Sequence, residues 1–413
     1  MELSKKRWVI LAISCLINIC IGSLYAWSVF APPLAEHINS IKGTNLNPGN
    51  LAIVFTIANL VGPITMISGG RINDTLGPKK VVFLGGLMFG GGMFLSGLAK
   101  SVGFLNFSYG ILVGLGMGLV YGCTIGNSVK FFPDRRGLIG GITTATYGLS
   151  SVILPPIANA LINSVGITNT FKILGLVFLI IICVGSSLIE KCPENFVPEG
   201  WSPRTEMEKD LMGRDKNWKE MLASPIFYIM IFMLICGAFS GLMCTSQASS
   251  IAQRMIGMSV VAATTAVSIL SLFNTAGRVI AGYVSDKIGR INMLTIVFVV
   301  LIIGLILLYT CSEGDVAKFY LGISAIGLCF GAIMGVYPGF TADRFGSKNN
   351  SVNYGIMFIG FAIAGFIGPT AMSSIYNKYN NYQNAFLIAA GFSIAGLLLS
   401  YVYRIAVKKL EAN

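Results

Sequence analysis

Charge-free apolar stretches of about 20 residues recur from one end of this chain to the other, and they restrict its fold more than any motif does. A helix of that length rises about 30 Å, the thickness of a bilayer's hydrocarbon core. Helices are predicted near 8–31, 51–69, 81–99, 103–127, 138–163 and 170–189. After a polar interval come 225–246, 260–284, 292–311, 319–339, 352–374 and 384–403, twelve in all. Only 11% of the 413 residues are charged, against about a quarter in a soluble domain. The expected class is therefore an all-α integral membrane protein.

Lysine and arginine set the expected orientation. With an even number of helices both termini share one side, and that side holds 22 of the 29 basic residues. The opposite side holds Lys42, Lys100, Lys172, Arg254, Lys318 and Lys378, and Arg278 lies within a helix. The positive-inside rule then predicts cytoplasmic termini in a cell membrane. The net charge of +12 is scattered over short loops rather than gathered on one soluble face, so no nucleic-acid partner is expected. The apolar run after "KKR" extends uncharged from Trp8 to Ala35, too long for a signal-peptide core, and reads as an uncleaved first helix. Nine cysteines show no CxxC spacing, so neither a disulfide framework nor a metal site is expected. The single histidine, His37, is placed in the first external loop.

The chain repeats itself. "GRINDTLGPKK" (70–80) matches "GYVSDKIGR" (282–290), with Asp74 and Asp286 separated by 212 positions. "DRRG" (134–137) returns as "DRFG" (343–346), offset by 209, and Gly141 and Pro155 return as Gly355 and Pro369, offset by 214. Three matches in order at a nearly constant offset argue for a duplicated six-helix unit. The predicted organisation is an N-terminal half (1–190), a cytoplasmic linker (191–223) and a C-terminal half (224–413). Within the linker, "TEMEKDLMGRDKNWKEMLAS" has the pattern of a surface amphipathic helix, and the segment as a whole reads as a tether.

The loop pattern G-x-x-x-D-[RK]-x-G-R resembles the signature of the major facilitator superfamily. The second copy fits, whereas the first has Thr75 and Pro78 at positions where basic residues are expected. The resemblance implies a fold of two pseudo-symmetric six-helix halves, with Asp74, Asp286 and Arg290 holding helix ends together in one conformational state. Either aspartate can pair with a cation or cap a neighbouring helix N-terminus. More narrowly, "GSLYAWSVFAPPL" (22–34), "KFFPDRRGLIGG" (130–141) and "NTAGRVIAGYVSDKIGR" (274–290) resemble the oxalate/formate antiporters and their monocarboxylate-transporter relatives.

Arg278 is the candidate anchor for a substrate. No other charge lies between Arg254 and Asp286, and each of the 17 acidic residues falls in a loop, a terminus or a helix end. Side chains lean toward the N-terminus of their helix, which turns this guanidinium away from the nearer interface. A central arginine costs about 2.5–3.5 kcal/mol on insertion scales, so a water-filled cavity between the halves is its expected surrounding. A guanidinium with no protein carboxylate suits a carboxylate brought by the substrate, through two parallel N–H···O bonds. Asn274, one turn earlier, can bind a neighbouring oxygen of the substrate, orient the arginine, or simply pack. Tyr25, Tyr121, Tyr147 and Tyr337 are candidates either for the cavity wall or for plain packing. Oxalate exchangers of the resembled family carry a second cation in helix 11, where this chain has Phe361. One cation beside an aromatic favours a monocarboxylate such as lactate or pyruvate over a dianion.

The expected function is thus alternating-access transport of small carboxylates, by anion exchange or with a proton as co-substrate. The chain is expected to act as a monomer in the bilayer without a cofactor. A dicarboxylate exchanger and a non-transporting carboxylate sensor are the rival readings. An enzyme is disfavoured because there is no metal-ligand cluster and no Ser/His/Asp set.

Overall fold

All regular structure in the described residues is helical. The computed structural model describes residues 3–194, 196–202 and 215–412. The rods are α1 (Lys5–Lys42), α2 (Pro48–Leu76) and α4 (Val102–Phe131), with α3 (Pro78–Ser96) between the last two. The helical stretch Arg136–Leu188 contains a non-helical residue, Gly166 (φ 76°), which divides it into α5 (136–165) and α6 (167–188). Then follow α7 (Pro225–Arg254), α8 (Val260–Ile288), α9 (Arg290–Tyr309), α10 (Val316–Phe345), α11 (Asn350–Tyr379) and α12 (Gln383–Ala412).

The twelve rods coincide with the twelve predicted helices, but most run longer than their apolar cores. α1 continues through a 3-10 turn at Gly22–Ala26 and past Pro32 and Pro33. His37 therefore lies in a helix rather than a loop. Apolar content marks only the part of a helix that must shun water, and backbone hydrogen bonding carries the helix beyond it.

The duplication shows in the turns. Gly77 (φ 90°, ψ 172°) joins α2 to α3, and Gly289 (φ 88°, ψ 149°) joins α8 to α9. Both lie in or near a backbone region open essentially to glycine alone. They stand 212 positions apart, at the same offset as Asp74 and Asp286.

The chain divides into two compact units. The first takes the described residues of 1–134, 146–215 and 345–356; the second takes 135–145, 216–344 and the described residues of 357–413. Each unit thus includes a short segment from the other half of the sequence: the start of α11 in the first, the start of α5 in the second. Small residues let the backbones approach closely, as is usual where lipid provides no hydrophobic drive between helices. In the first unit Gly114 and Gly118 of α4 meet Ala58 and Gly62 of α2, and Gly90 of α3 meets Leu179 of α6. In the second, Ser240 of α7 bonds the Ala389 carbonyl of α12, 3.2 Å away.

The linker is more than a tether at its described start. Lys191 donates to the Thr75 carbonyl (2.9 Å), and the Cys192 amide donates to Asn127 Oδ1 (3.2 Å). Burial pushes the Cys192 thiol up to about 12. At the far end of the segment, Asp215 Oδ1 accepts from the Lys348 amide at 2.9 Å. Of the expected amphipathic helix, 203–214 lies outside the described residues. Trp218–Leu222 is one short helix opened by an Asn217–Glu220 capping box.

Candidate functional site

Arg278 lies on α8 with 3% of its surface exposed. Its Nε donates to Asn274 Oδ1 at 3.0 Å, and its Nη1 donates to the backbone carbonyl of Thr144 at 2.6 Å. Thr144 belongs to the start of α5, inside the same unit. Bonds to a charged donor contribute about 1.5–3 kcal/mol each, enough to offset much of the cost of burial. In this conformer two protein oxygens shield the cation, rather than the water-filled surrounding expected from sequence. A guanidinium has five N–H groups, so three have no protein acceptor among the described residues. No carboxylate pairs with Arg278 among those residues either.

Glycines bring the neighbouring backbones in. A side chain at Gly141 of α5 or Gly335 of α10 would run into the carbonyl of Arg278, and one at Gly331 into that of Asn274. The α8 backbone is therefore held against two glycine-lined helices, which fixes where the guanidinium starts. Thr144, Gly141 and Gly335 had no assigned role from sequence. The i, i+4 spacings Gly137/Gly141 and Gly331/Gly335 were the available signal; a backbone acceptor such as the Thr144 carbonyl leaves none.

The aromatic candidates fall into separate sets. In the first unit Tyr147 lies 5.1 Å from Tyr25 and 4.8 Å from Tyr121, centroid to centroid. In the second unit are Arg278, Asn274, Phe361 and Tyr337. Phe361 stacks on Phe358 (4.6 Å) and lies parallel to Phe330 (6.3 Å, 5°). Tyr337 is fully buried, and its hydroxyl donates to the Met230 carbonyl of α7 at 2.8 Å. Asn274 orients the arginine through its oxygen, and its amide N–H groups remain available as donors.

Each unit also carries an aspartate knot. In the second, the Asp286 carboxylate accepts from the Gly137 and Leu138 amides, both at 2.8 Å, and so caps α5. It also pairs with Arg290 at 2.7 Å. Arg290 reaches Asp343 at 2.8 Å, and Asp343 pairs with Arg136 at 2.9 Å. In the first unit Asp74 accepts from the Ser351 and Val352 amides (3.3 and 3.1 Å), capping α11, and pairs with Lys130 at 2.6 Å. Lys130 also donates to the Lys348 carbonyl at 2.8 Å. Asp134 pairs with Arg7 at 2.7 Å. Asp343, Arg136, Lys130 and Arg7 were absent from the sequence-based candidates, although the DRRG/DRFG repeat pointed at the two aspartates. Among the described residues no three metal-ligating side chains gather.

Comparison with known proteins agrees with this architecture. The sequence profile of the Major Facilitator Superfamily matches residues 8–369. An MFS-type transporter of Escherichia coli (strain K12), YhjX, is 30% identical over 87% of this chain and 86% of its own length. The oxalate:formate antiporter of Oxalobacter formigenes is 29% identical over 96% of this chain and 91% of its own. Mouse monocarboxylate transporter 11 is 24% identical over 96% and 86%. Among solved structures, the human organic anion transporter MFSD10 superposes with a TM-score of 0.73, covering 97% of this chain and 100% of the other at 13% identity. That degree of likeness bears on the fold alone.

Proposed function

Since this chain belongs to the major facilitator superfamily, a family of membrane transporters, we propose that it moves small carboxylate anions, monocarboxylates such as lactate or pyruvate foremost. One observation carries the reading: Arg278 is a buried cation with no acidic partner among the described residues and with N–H groups to spare. A carboxylate supplies both the missing charge and the acceptors. The relatives support the anion class, since their names include oxalate:formate antiport and monocarboxylate transport. Phe361 supports a single negative charge on the substrate, because a dianion needs a second cation nearby.

In the proposed cycle Arg278 faces each side of the membrane in turn. The bound anion neutralises the guanidinium and lowers the cost of the occluded state, which favours exchange or symport with a proton. Arg278 is shielded in this conformer, so capture requires its contact with Thr144 to loosen or the guanidinium to turn. The Asp74 and Asp286 knots act as latches, holding the ends of α11 and α5 in one state and releasing them in another. Both termini are assigned to the cytoplasmic side of a cell membrane.

A second reading, oxalate/formate exchange, is favoured by the 29% identity to an oxalate:formate antiporter over nearly the whole chain. Labelled lactate, formate and oxalate uptake into proteoliposomes separates the two. Saturable lactate uptake, poorly inhibited by oxalate and lost in Arg278→Ala, is the expected result. Undiminished uptake by Arg278→Ala would overturn the anchor, and preferential oxalate exchange would select the second reading.

A further inference from the structure

α7 ends on another cation without an acid. Arg254 is exposed, and its guanidinium carbon lies 5.1 Å from the ring centre of Tyr376 on α11. Tyr376 stacks in turn on Tyr382, just before α12, with centroids 4.4 Å apart and planes 24° from parallel. The Tyr382 side chain is buried. Among the described residues no carboxylate forms an ion pair with Arg254, and the ring it packs over is that of Tyr376. Two helical turns deeper on α7, Gln247 donates to Ser373 of α11 at 3.4 Å, which continues a polar seam along these two helices.

This arrangement has the features of an oxyanion receptor. Stacking uses the face of a guanidinium and leaves N–H groups at its edge for hydrogen bonding. The tyrosine stack holds that face, and Tyr376, which is partly exposed, brings a phenol O–H donor. A purely structural strut would need the face contact but not an uncompensated charge. A small planar carboxylate fits the exposed edge.

Depth separates this group from Arg278. The two consecutive helices α7 and α8 run in opposite directions, so Arg254 lies near the level of Val260, where α8 begins. Arg278 is 18 residues further on, about 27 Å along a helix axis. One small anion cannot reach both.

We propose that Arg254, Tyr376 and Tyr382 form a peripheral docking site for small carboxylates, on the face opposite the chain termini, where the anion is held before it reaches Arg278. The proposal rests on reading Arg278 as the carboxylate anchor. It is tested by initial rates of labelled lactate, formate and oxalate uptake in right-side-out and inside-out vesicles, at low and high ionic strength. Arg254→Gln is expected to raise KM about fivefold for substrate offered to the face opposite the termini, with kcat nearly unchanged and a flatter ionic-strength dependence. From the terminal face its KM should match wild type. Arg254→Lys should keep the ionic-strength dependence while losing part of the affinity, because the charge survives and the planar stack does not. A wild-type KM and salt response in Arg254→Gln, or an equal loss of kcat from both faces, would overturn the docking site alone. Full uptake by Arg278→Ala would overturn the anchor alone. No saturable uptake of any of the three anions by the wild type would overturn both.

Discussion

The aspartate knots of the two units start from matching sequence and reach different solutions. In the second unit Arg290 bridges Asp286 and Asp343, and Arg136 completes a chain of two cations and two carboxylates. In the first unit the position 212 residues before Arg290 is Pro78, which opens α3 but carries no charge. Asp74 and Asp134 are therefore served separately, by Lys130 and by Arg7. Arg7 also packs over the Phe132 ring at 4.5 Å. The planar fork of an arginine can join two carboxylates, whereas an ammonium acts as a point charge. Asn350, at the head of the helix that Asp74 caps, buries both polar atoms of its amide without a partner among the described residues. One knot is thus joined by a bridging arginine, whereas in the other the two aspartates pair with different cations, beside an amide with no partner among the described residues.

This contrast makes the knots unequal in what they lose to a single change. Arg290→Ala removes the bridge and takes a cation from two carboxylates at once, leaving Asp286 its two backbone amides and Asp343 its pair with Arg136, so it should be the most damaging substitution, at about 4 kcal/mol. A lowered melting temperature of the detergent-solubilised protein would report it. Its effect should add poorly with Asp286→Asn in a double-mutant cycle, since both act on one network; full additivity would show that the bridge is energetically idle. Arg7→Ala takes the paired cation from one carboxylate, Asp134, and should destabilise less, by about 3 kcal/mol, with an effect that adds to that of Asp74→Asn because the Arg7–Asp134 and Lys130–Asp74 pairs share no side chain. Asn350→Leu should be the mildest, neutral or stabilising by up to about 1 kcal/mol, because it removes a buried amide with no partner among the described residues. A clear fall in melting temperature for Asn350→Leu would mean that the amide has a partner, such as a bound water, and would narrow the difference between the knots.

Several of these features were readable in advance, and the reason differs from one to the next. Arg278 stood out because it is a lone charge in an apolar run, and the cost of burying it demands a compensating partner. The partner found in the structure, the Thr144 carbonyl, is a backbone group 134 residues away, and every residue except proline offers the same pair of backbone groups. The aspartates were recognisable as groups able to cap a helix, but not which helix they cap. Tyr337 was left open between the cavity wall and plain packing, and the bond of its hydroxyl to the Met230 carbonyl of α7 is a backbone contact that residue type alone does not reveal. The helix ends ran past their predicted limits at α1 because hydrophobicity reports contact with lipid rather than backbone hydrogen bonding.

By itself the sequence determined the all-helical class, the twelve rods, the internal duplication and the isolation of Arg278. Each of these follows from local composition and spacing, which act along the chain. Only the tertiary structure decided that the start of α5 joins the second unit and the start of α11 the first. It also decided that Arg290 bridges two carboxylates, and that Arg254 finds two stacked tyrosines instead of an acid. Those outcomes depend on which helices come within bonding distance, and that is set by how closely glycine-lined surfaces let backbones approach.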